Sequence, residues 1–468
     1  MIVDRYDPVN LFELVPKLKL EFEPELAQLD RLLDDDVLFE QVKADLSRRY
    51  PNSGKLGRRS TPVEVILRML VVKRLYGWSY EQTEHFVSDS IVLRQFCRLY
   101  LESAPDDTTL IRWANTIGAR TLAALNDRAV ELAQSLKVTR GRKLRTDGTV
   151  VETNIHHPTD DTLLSDGVRI ISRLIGRAKE LIPEGMRRAA ARGEPFRNRT
   201  RSAKRLAHKI SKMARRRTQQ AKASYLEAYE RLIKIAKATI RQAGRVGSML
   251  EEAPSAGKKI SEELSHFAGL LERVVSQARR RVLEGERVAA TEKLVSIFEE
   301  HTAIIRRGKA PNRTQFGRKV WLSEVDGGIV SGFWILEGNP GDEAQLKEAL
   351  KDHLRQFGRA PELVAADRNV HSKENERLAR ELGIKKVCLP KAGKKSAERE
   401  EHEQKRWFKR ARKFRSGIEG RISILTRGFG LDRCPEHGEE GMGRWVGWGI
   451  LAHNLRQIAR KQVARQAS

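Results

Sequence analysis

The sequence predicts an α/β fold, a mixed sheet with flanking helices, preceded by a helical domain and interrupted by a long helical insertion. Three patterns predict it. Apolar runs at 319–325 and 328–336 flank Asp326-Gly327, a strong hairpin signal. Ile260, Leu264, Phe267, Leu271, Val274, Ala278 and Val282 recur in steps of four and three, the mark of a helix with a packing seam. Short helical patterns separated by tight turns run from Ser60 to Ile117.

Each element has a local reason. Residues 1–55 carry one acidic cluster, Asp34-Asp35-Asp36, and little else that is diagnostic. In Ser60-Thr61-Pro62-Val63-Glu64, Thr61 is expected to cap, Pro62 suits the first helical position and Glu64 completes a capping box. That helix ends at Gly77, and a second box, Ser79-Tyr80-Glu81-Gln82, opens the next. Helices are also expected at 91–99 and from Asp107 or Thr108 through Trp113 to Ile117. With Arg68, Lys73, Arg74, Arg94 and Arg98 among them, they suggest a helix-turn-helix bundle that touches DNA, or else a plain packing domain.

The pattern turns β-like after Leu144, and a helical block then runs over roughly 166–310. Its stretches 225–240 and 260–282, broken at Ala253-Pro254-Ser255-Ala256-Gly257, predict an antiparallel helical hairpin. The leading part, 187–217, sets Arg197, Arg199, Arg201, Lys204, Arg205, Lys209, Lys212 and Arg215-Arg216-Arg217 against a single acid, Glu194. So one-sided a run points to phosphate contact rather than a merely solvated face. Beyond the hairpin, Asp342 is expected to cap a helix with Leu346, Leu350, Leu354 and Phe357 on one stripe, ending at Gly358. Strands at 363–367 and 384–389 follow, then helices, the last packing Trp445, Trp448 and Leu451 as core. The domains read as an N-terminal segment 1–55, a helical domain 56–140, a sheet domain 141–165 and 311–468, and an insertion 166–310.

A net charge of +27 and a pI near 10.2 imply a polyanionic partner, of which nucleic acid is the commonest. No stretch reaches about 18 uninterrupted apolar residues, so no membrane span is expected. Cys97, Cys388 and Cys434 are scattered, which fits reduced thiols and no zinc ribbon. Without a signal-peptide pattern at Met1–Asp7, a cytoplasmic, nucleoid-associated protein is expected.

Three carboxylates stand in contexts suited to holding metal ions. Asp147 and Asp367 are expected at strand ends, Asp367 closing the apolar run Leu363-Val364-Ala365-Ala366, and Glu419 lies on a late helix. Two Mg²⁺ ions about 3.5–4 Å apart activate a nucleophile and stabilise the phosphorus and leaving oxygen of a phosphodiester. Such ions take oxygen ligands and keep waters, so three carboxylates suffice. Carboxyl groups within about 4–7 Å of one another could share the metals.

The local sequences strengthen this set. Asp147-Gly148-Thr149-Val150-Val151-Glu152-Thr153-Asn154-Ile155-His156-His157-Pro158-Thr159-Asp160 resembles the first catalytic block of bacterial insertion-sequence transposases. These are DDE enzymes with an RNase H-like catalytic domain, and the likeness is nearest their ISNCY-like group. Val364-Ala365-Ala366-Asp367-Arg368 with His371-Ser372 is similar to the second block. Arg415-Ser416-Gly417-Ile418-Glu419 with Arg427-Gly428-Phe429-Gly430-Leu431 is similar to the third. The resemblance implies binding of terminal inverted repeats and target DNA by a dimer, then metal-dependent strand cleavage and strand transfer. It implies two Mg²⁺ or Mn²⁺ ions held by Asp147, Asp367 and Glu419, with Arg415 on a phosphate or orienting the acid. Three positions depart from the pattern: Arg412 stands in place of Tyr, Thr426 in place of Lys, and Asn369 in place of a Gly. Arg427 is the expected substitute cation, and Asn369 is expected to tolerate the same left-handed backbone. A decayed copy that only binds DNA is the alternative these departures raise.

Other acids and histidines have plainer explanations. Asp326 suits a turn, Glu152 points to the opposite strand face from Asp147, and Glu398, Glu400, Glu401 and Glu403 suit a solvated face. His156 and His157 lack metal-ligand spacing and suit a structural or DNA-contact role.

Overall fold

The computed structural model describes residues 1–8, 21–49, 52, 59–189, 195–216, 218–250, 255–306 and 314–467. The fold is mixed α/β, in two compact units: residues 1–154 with 317–468, and residues 155–316. Ala253, Pro254, Glu194 and Arg217, on which two sequence expectations draw, lie outside the described residues.

The first unit opens with helices α1 (Pro24–Leu33), α2 (Asp36–Ser47), α3 (Val63–Tyr76), α4 (Tyr80–Asp89), α5 (Ile91–Phe96), α6 (Asp107–Ala114) and α7 (Ala119–Ser135). Every residue of α3 from Val63 to Leu75 is buried, so its first turn has no water to satisfy it. Thr61 does not cap it. The N–H groups of Val63 and Glu64 instead donate to the carbonyls of Val3 and Asp4, at 3.0 and 3.3 Å. Glu64, expected to close the box, pairs with Arg68 at 3.3 Å and Arg5 at 3.2 Å. The box at α4 does form, Ser79 and Gln82 each accepting the other's backbone N–H at 3.0 Å.

The cations that suggested a DNA-contacting face here are used internally. Arg68 is fully buried between Asp30, Glu64 and the Phe96 carbonyl. Arg74 donates to the carbonyls of Phe429 and Trp445, both at 2.8 Å, and Lys73 lies over the Tyr80 ring. Arg98 pairs with Asp30 and Asp34, and Arg94 donates to the Tyr100 and Glu102 carbonyls. Burial pushes Lys73 down to about 8, the effect expected of an ammonium taken out of water.

After strand β1 (Lys143–Thr153) the chain builds the second unit: α8 (Asp160–Leu181), α9 (Glu184–Ala189), α10 (Thr200–Met213), α11 (Gln219–Met249), α12 (Ser255–Ala278) and strand β2 (Ala303–Arg306). The expected hairpin is α11 and α12. Two further helices, α8 and α10, pack with it around one core that includes Leu164, Ile171, Ile210, Leu232, Leu264 and Val274.

The first unit resumes with β3 (Thr314–Val325), β4 (Ile329–Ile335), α13 (Gln345–Phe357), β5 (Leu363–Ala365), α14 (Lys373–Glu381), β6 (Lys386–Cys388), α15 (Ala397–Gln404), α16 (Arg406–Phe429), β7 (Arg433–Cys434) and α17 (Gly438–Gln466). Its strands run in the order β4-β3-β1-β5-β6, the first three antiparallel, with β5 and β6 parallel to β1, and the short β7 pairs in parallel with the end of β1 at Glu152 and Thr153. The hairpin turns at Gly327 and Gly328, with φ of +85° and +81°. Asp326 explains itself there: its carboxylate accepts the N–H groups of Arg140, Arg142 and Lys143 and ties the turn to the start of β1. The sheet shares a hydrophobic core with α1–α7 and α17, in which Trp321, Trp448 and Leu451 are buried.

Candidate active site

Strand register brings the first two acids together. Lys143, Leu144 and Arg145 of β1 lie beside Leu363, Val364 and Ala365 of β5 in parallel. Continuing that register two residues past Ala365 sets Asp367 beside Asp147, which is why the two are 220 positions apart in sequence. Asp147 is not at a strand end as expected: it sits opposite Leu322 of β3 in the middle of β1, because the β1–β3 ladder continues past it to Glu152.

Helix α16 supplies the rest. Arg415 Nη2 lies 3.0 Å from Asp147 Oδ2 and 3.8 Å from Asp367 Oδ1, and its Nη1 lies 3.0 Å from Glu419 Oε1. Laid end to end, 3.0 Å and 3.8 Å bound the gap between the two aspartate oxygens at 6.8 Å. The three acids thus share one guanidinium. Arg415 and Glu419 are four residues apart, one helical turn, so both project to the same side of α16. Among the described residues no group of three His, Cys, Asp or Glu side chains stands arranged to hold a metal. Here the space the acids surround is taken by the Arg415 cation.

Asp147 is the least exposed acid of the three, at 18% against 38% for Asp367 and 55% for Glu419. Its carboxyl titrates above the ordinary aspartate range. Burial is the main cause; Arg415 and the Gly148 N–H oppose it, and the charges of Asp367 and Asp342 add to it.

A buried polar network fixes α16 on the sheet. Glu324 of β3 is 1% exposed and takes a two-pronged contact from Arg145, Nε at 2.7 Å and Nη2 at 2.6 Å. Arg145 Nη1 also donates to the Phe414 carbonyl at 2.6 Å, which ties β1 to the turn of α16 that carries Arg415. Arg421 donates to Glu324 at 3.1 Å and to His453 Nε2 at 2.8 Å. His453 therefore keeps its proton on Nδ1, facing Asn454 Oδ1 at 3.1 Å. Burial first, and the Arg421 charge next, push its pKa down to about 3. Gly417 makes room for this network: a Cβ there would stand 2.0 Å from Arg145 Nη1.

Beside Asp367 opens a cavity of about 400 Å³ whose lining includes Arg368, Lys409, Arg412, Arg415 and Ser416. Arg412, which departs from the expected Tyr, thus adds a cation to this wall. Asn369 lies in a 3-10 turn, Arg368–Val370, and is not among the residues with positive φ, so the expected left-handed backbone is not needed.

Residues 10–116 match a transposase domain. The matching family model is described as Transposase domain (DUF772), and the matched residues run from before α1 to the end of α6. Asp147, Asp367 and Glu419 all lie outside that stretch. No curated protein and no solved structure matches the chain. Among the described residues no helix is long and apolar enough to cross a membrane.

The remaining expected site residues are elsewhere. Arg427 donates to Ser423 Oγ at 2.6 Å on the last turns of α16. Arg199, Arg201, Lys204 and Arg205 belong to the second unit, where Arg199 and Arg205 line a groove and Arg201 and Lys204 are exposed. Of the nearby glutamates, Glu403 is buried; Lys395, the Lys391 N–H and Arg399 outweigh that burial and hold it down at about 2. Glu152 pairs with Arg433 at 3.1 Å and His156 with Asp166 at 2.8 Å. Sequence reading missed Glu324, Arg145 and Arg421; the available signal was one acid inside the otherwise uncharged run Val320-Trp321-Leu322-Ser323-Glu324-Val325.

Proposed function

We propose that the protein is a DDE transposase that cuts and joins DNA at the ends of a bacterial insertion sequence with two Mg²⁺ or Mn²⁺ ions. The observation that carries this reading is the meeting of Asp147, Asp367 and Glu419 on one cation. The mixed sheet, with acids at the middle of β1 and just past β5, supports the RNase H-like form of the reading. The match of residues 10–116 to a transposase domain supports it independently.

The donor chemistry fits. All three acids offer carboxylate oxygens, the ligands hard divalent cations prefer, and they already surround a positive charge. Divalent ions bound by Asp147, Asp367 and Glu419 would supply an activated oxygen nucleophile and charge stabilisation at phosphorus. Arg415 has a double part: it neutralises the acids before the ions arrive, and once released it has five N–H donors to offer a phosphate. Arg368, Lys409 and Arg412 line the neighbouring cavity and suit the backbone of the same strand. Arg427, Arg199, Arg201, Lys204 and Arg205 add phosphate contacts in this reading. Terminal inverted repeats and target DNA are the substrates, bound by a dimer, in the cytoplasm at the nucleoid.

The test is nicking of a labelled DNA carrying the element's own ends. Cleavage is expected with Mg²⁺ and not with a chelator, and Asp147→Asn should abolish it while DNA binding persists. Cleavage retained in Asp147→Asn would overturn the assignment. A second reading, a decayed copy that only binds DNA, is favoured by the closed set of ion pairs around Arg415. It predicts binding to the same DNA with no nicking under any divalent ion.

A further inference from the structure

Helices α10 and α11 pack side by side in the second unit and leave an open groove of about 710 Å³ between them. Arg205 and Lys209 of α10 line it, with Arg231, Lys234 and Arg241 of α11, and among the described residues no acid does. Arg231 pairs with Glu227 at 2.6 Å, outside the groove lining. Among the described residues Arg205, Lys209, Lys234 and Arg241 form no ion pair. Lys234 and Arg241 are seven residues apart, about 10 Å along one face of α11, with Arg205 and Lys209 across from them. Uncompensated like charges facing one space raise the energy of the folded protein, and a polyanion lying in that space lowers it.

The floor of the groove is apolar: Leu206, Ile235 and Ala238 line it, each half-buried. A cationic rim over an apolar floor discriminates among polyanions. Duplex DNA keeps its base faces inside the stack and would offer this groove only phosphates. An unpaired strand offers phosphates to the rim and base faces to the floor, where the aliphatic Leu206 and Ile235 stand in the place that aromatic rings take in single-strand binders.

We propose that the groove between α10 and α11 is a binding site for single-stranded DNA, separate from the acid triad. This deepens the transposase reading and rests on it for the choice of DNA. The released strand of a nicked end is the class of substrate that fits: its phosphates lie along Arg205, Lys209, Lys234 and Arg241, and its bases against Leu206 and Ile235.

The probe is a short labelled oligothymidylate, bound to the full-length protein over a salt series and read by fluorescence anisotropy. For single strands the slope of log affinity against log salt is about −0.7 per phosphate neutralised. Lys234→Gln/Arg241→Gln should therefore make the slope about 1.4 shallower, because two phosphates are no longer neutralised. Lys258→Gln/Lys259→Gln, which removes two exposed charges of α12 outside the groove, should leave the slope unchanged. Ile235→Ser should weaken oligothymidylate binding about fivefold, roughly the loss of half a buried side chain, and leave duplex binding alone. Circular dichroism melting confirms that each variant folds.

An unchanged slope in Lys234→Gln/Arg241→Gln would refute the site. Tighter duplex binding with the same loss of slope would mean that only phosphates are read, and would refute the single-strand assignment. Equal displacement by polyglutamate would refute the nucleic acid assignment. Nicking by the wild-type protein is scored separately: lost nicking with the expected slopes defeats the triad reading alone, and the converse defeats the groove alone.

Discussion

Replacing Gly417 by alanine is the sharpest test of how α16 is held. The new Cβ would stand 2.0 Å from Arg145 Nη1, where ordinary contact begins at 3.4 Å, so the guanidinium must retreat by the difference. That movement breaks the 2.6 Å bond to the Phe414 carbonyl and disturbs the two-pronged contact with buried Glu324. A charged hydrogen bond lost is about 1.5–3 kcal/mol, and overpacking costs about 1–3 kcal/mol. Alanine returns about 1 kcal/mol through helix propensity, leaving a net destabilisation of about 1.5–5 kcal/mol. Gly420, on the same helix, has nothing within 4 Å of the corresponding Cβ. Gly420→Ala should therefore stabilise, by about 0.4–1 kcal/mol. The assay is urea unfolding followed by tryptophan fluorescence. All seven tryptophans lie in the first unit, so the signal reports on that unit and not on the insertion. The pair of variants should move the midpoint in opposite directions. A Gly417→Ala protein as stable as Gly420→Ala would refute the argument that Arg145 needs that space.

The other predictions follow the same network. Glu324→Leu should cost about 3–5 kcal/mol in urea unfolding, because Arg145 and Arg421 are left as buried cations, and the added changes Arg145→Met and Arg421→Met should restore most of it. Arg415→Gln removes the cation that favours ionised Asp147, so carboxyl NMR should find the Asp147 titration moved to still higher pH; Asp342→Asn should move it lower. His453 titrates near 3 in the folded state against 6.5 unfolded, so protons bind preferentially to the unfolded chain and stability falls as pH drops below 6.5. The slope attributable to it is at most about 1.4 kcal/mol per pH unit, and pH-dependent urea unfolding of His453→Gln should lack it.

What could be read from sequence was whatever has a local cause. The Asp326-Gly327 turn, the Ser79–Gln82 box and the seam of α12 depend on residues a few positions apart, and each appears in the structure. The Thr61 cap failed because its competitors, the carbonyls of Val3 and Asp4, are nearly sixty positions away and leave no trace near the helix. The meeting of Asp147, Asp367 and Glu419 could be argued from their surroundings, but its cause is the β1–β5 register, which no periodicity reports. Arg145 and Glu324 are 179 positions apart and look like surface charges until the strands pair. For the same reason Arg68 and Arg74 passed for a DNA-facing surface: a buried arginine and an exposed one read alike.

One rung of the β1–β3 ladder has a consequence for how the protein is made. Glu152 faces Gly317 across that rung, although 165 positions separate them. Closing so long a loop in a disordered chain costs about 4–5 kcal/mol of entropy by the logarithmic law. The second unit removes most of that cost by holding its own ends close, the His157 and Phe316 rings meeting edge-on at 5.6 Å. On the ribosome β1 emerges first and must wait, unpaired with β3, until the whole helical unit has been synthesised. Early folding of that unit would bring β3 to its partner, and a variant that slows it is expected to expose β1 as an unprotected strand edge on the nascent chain.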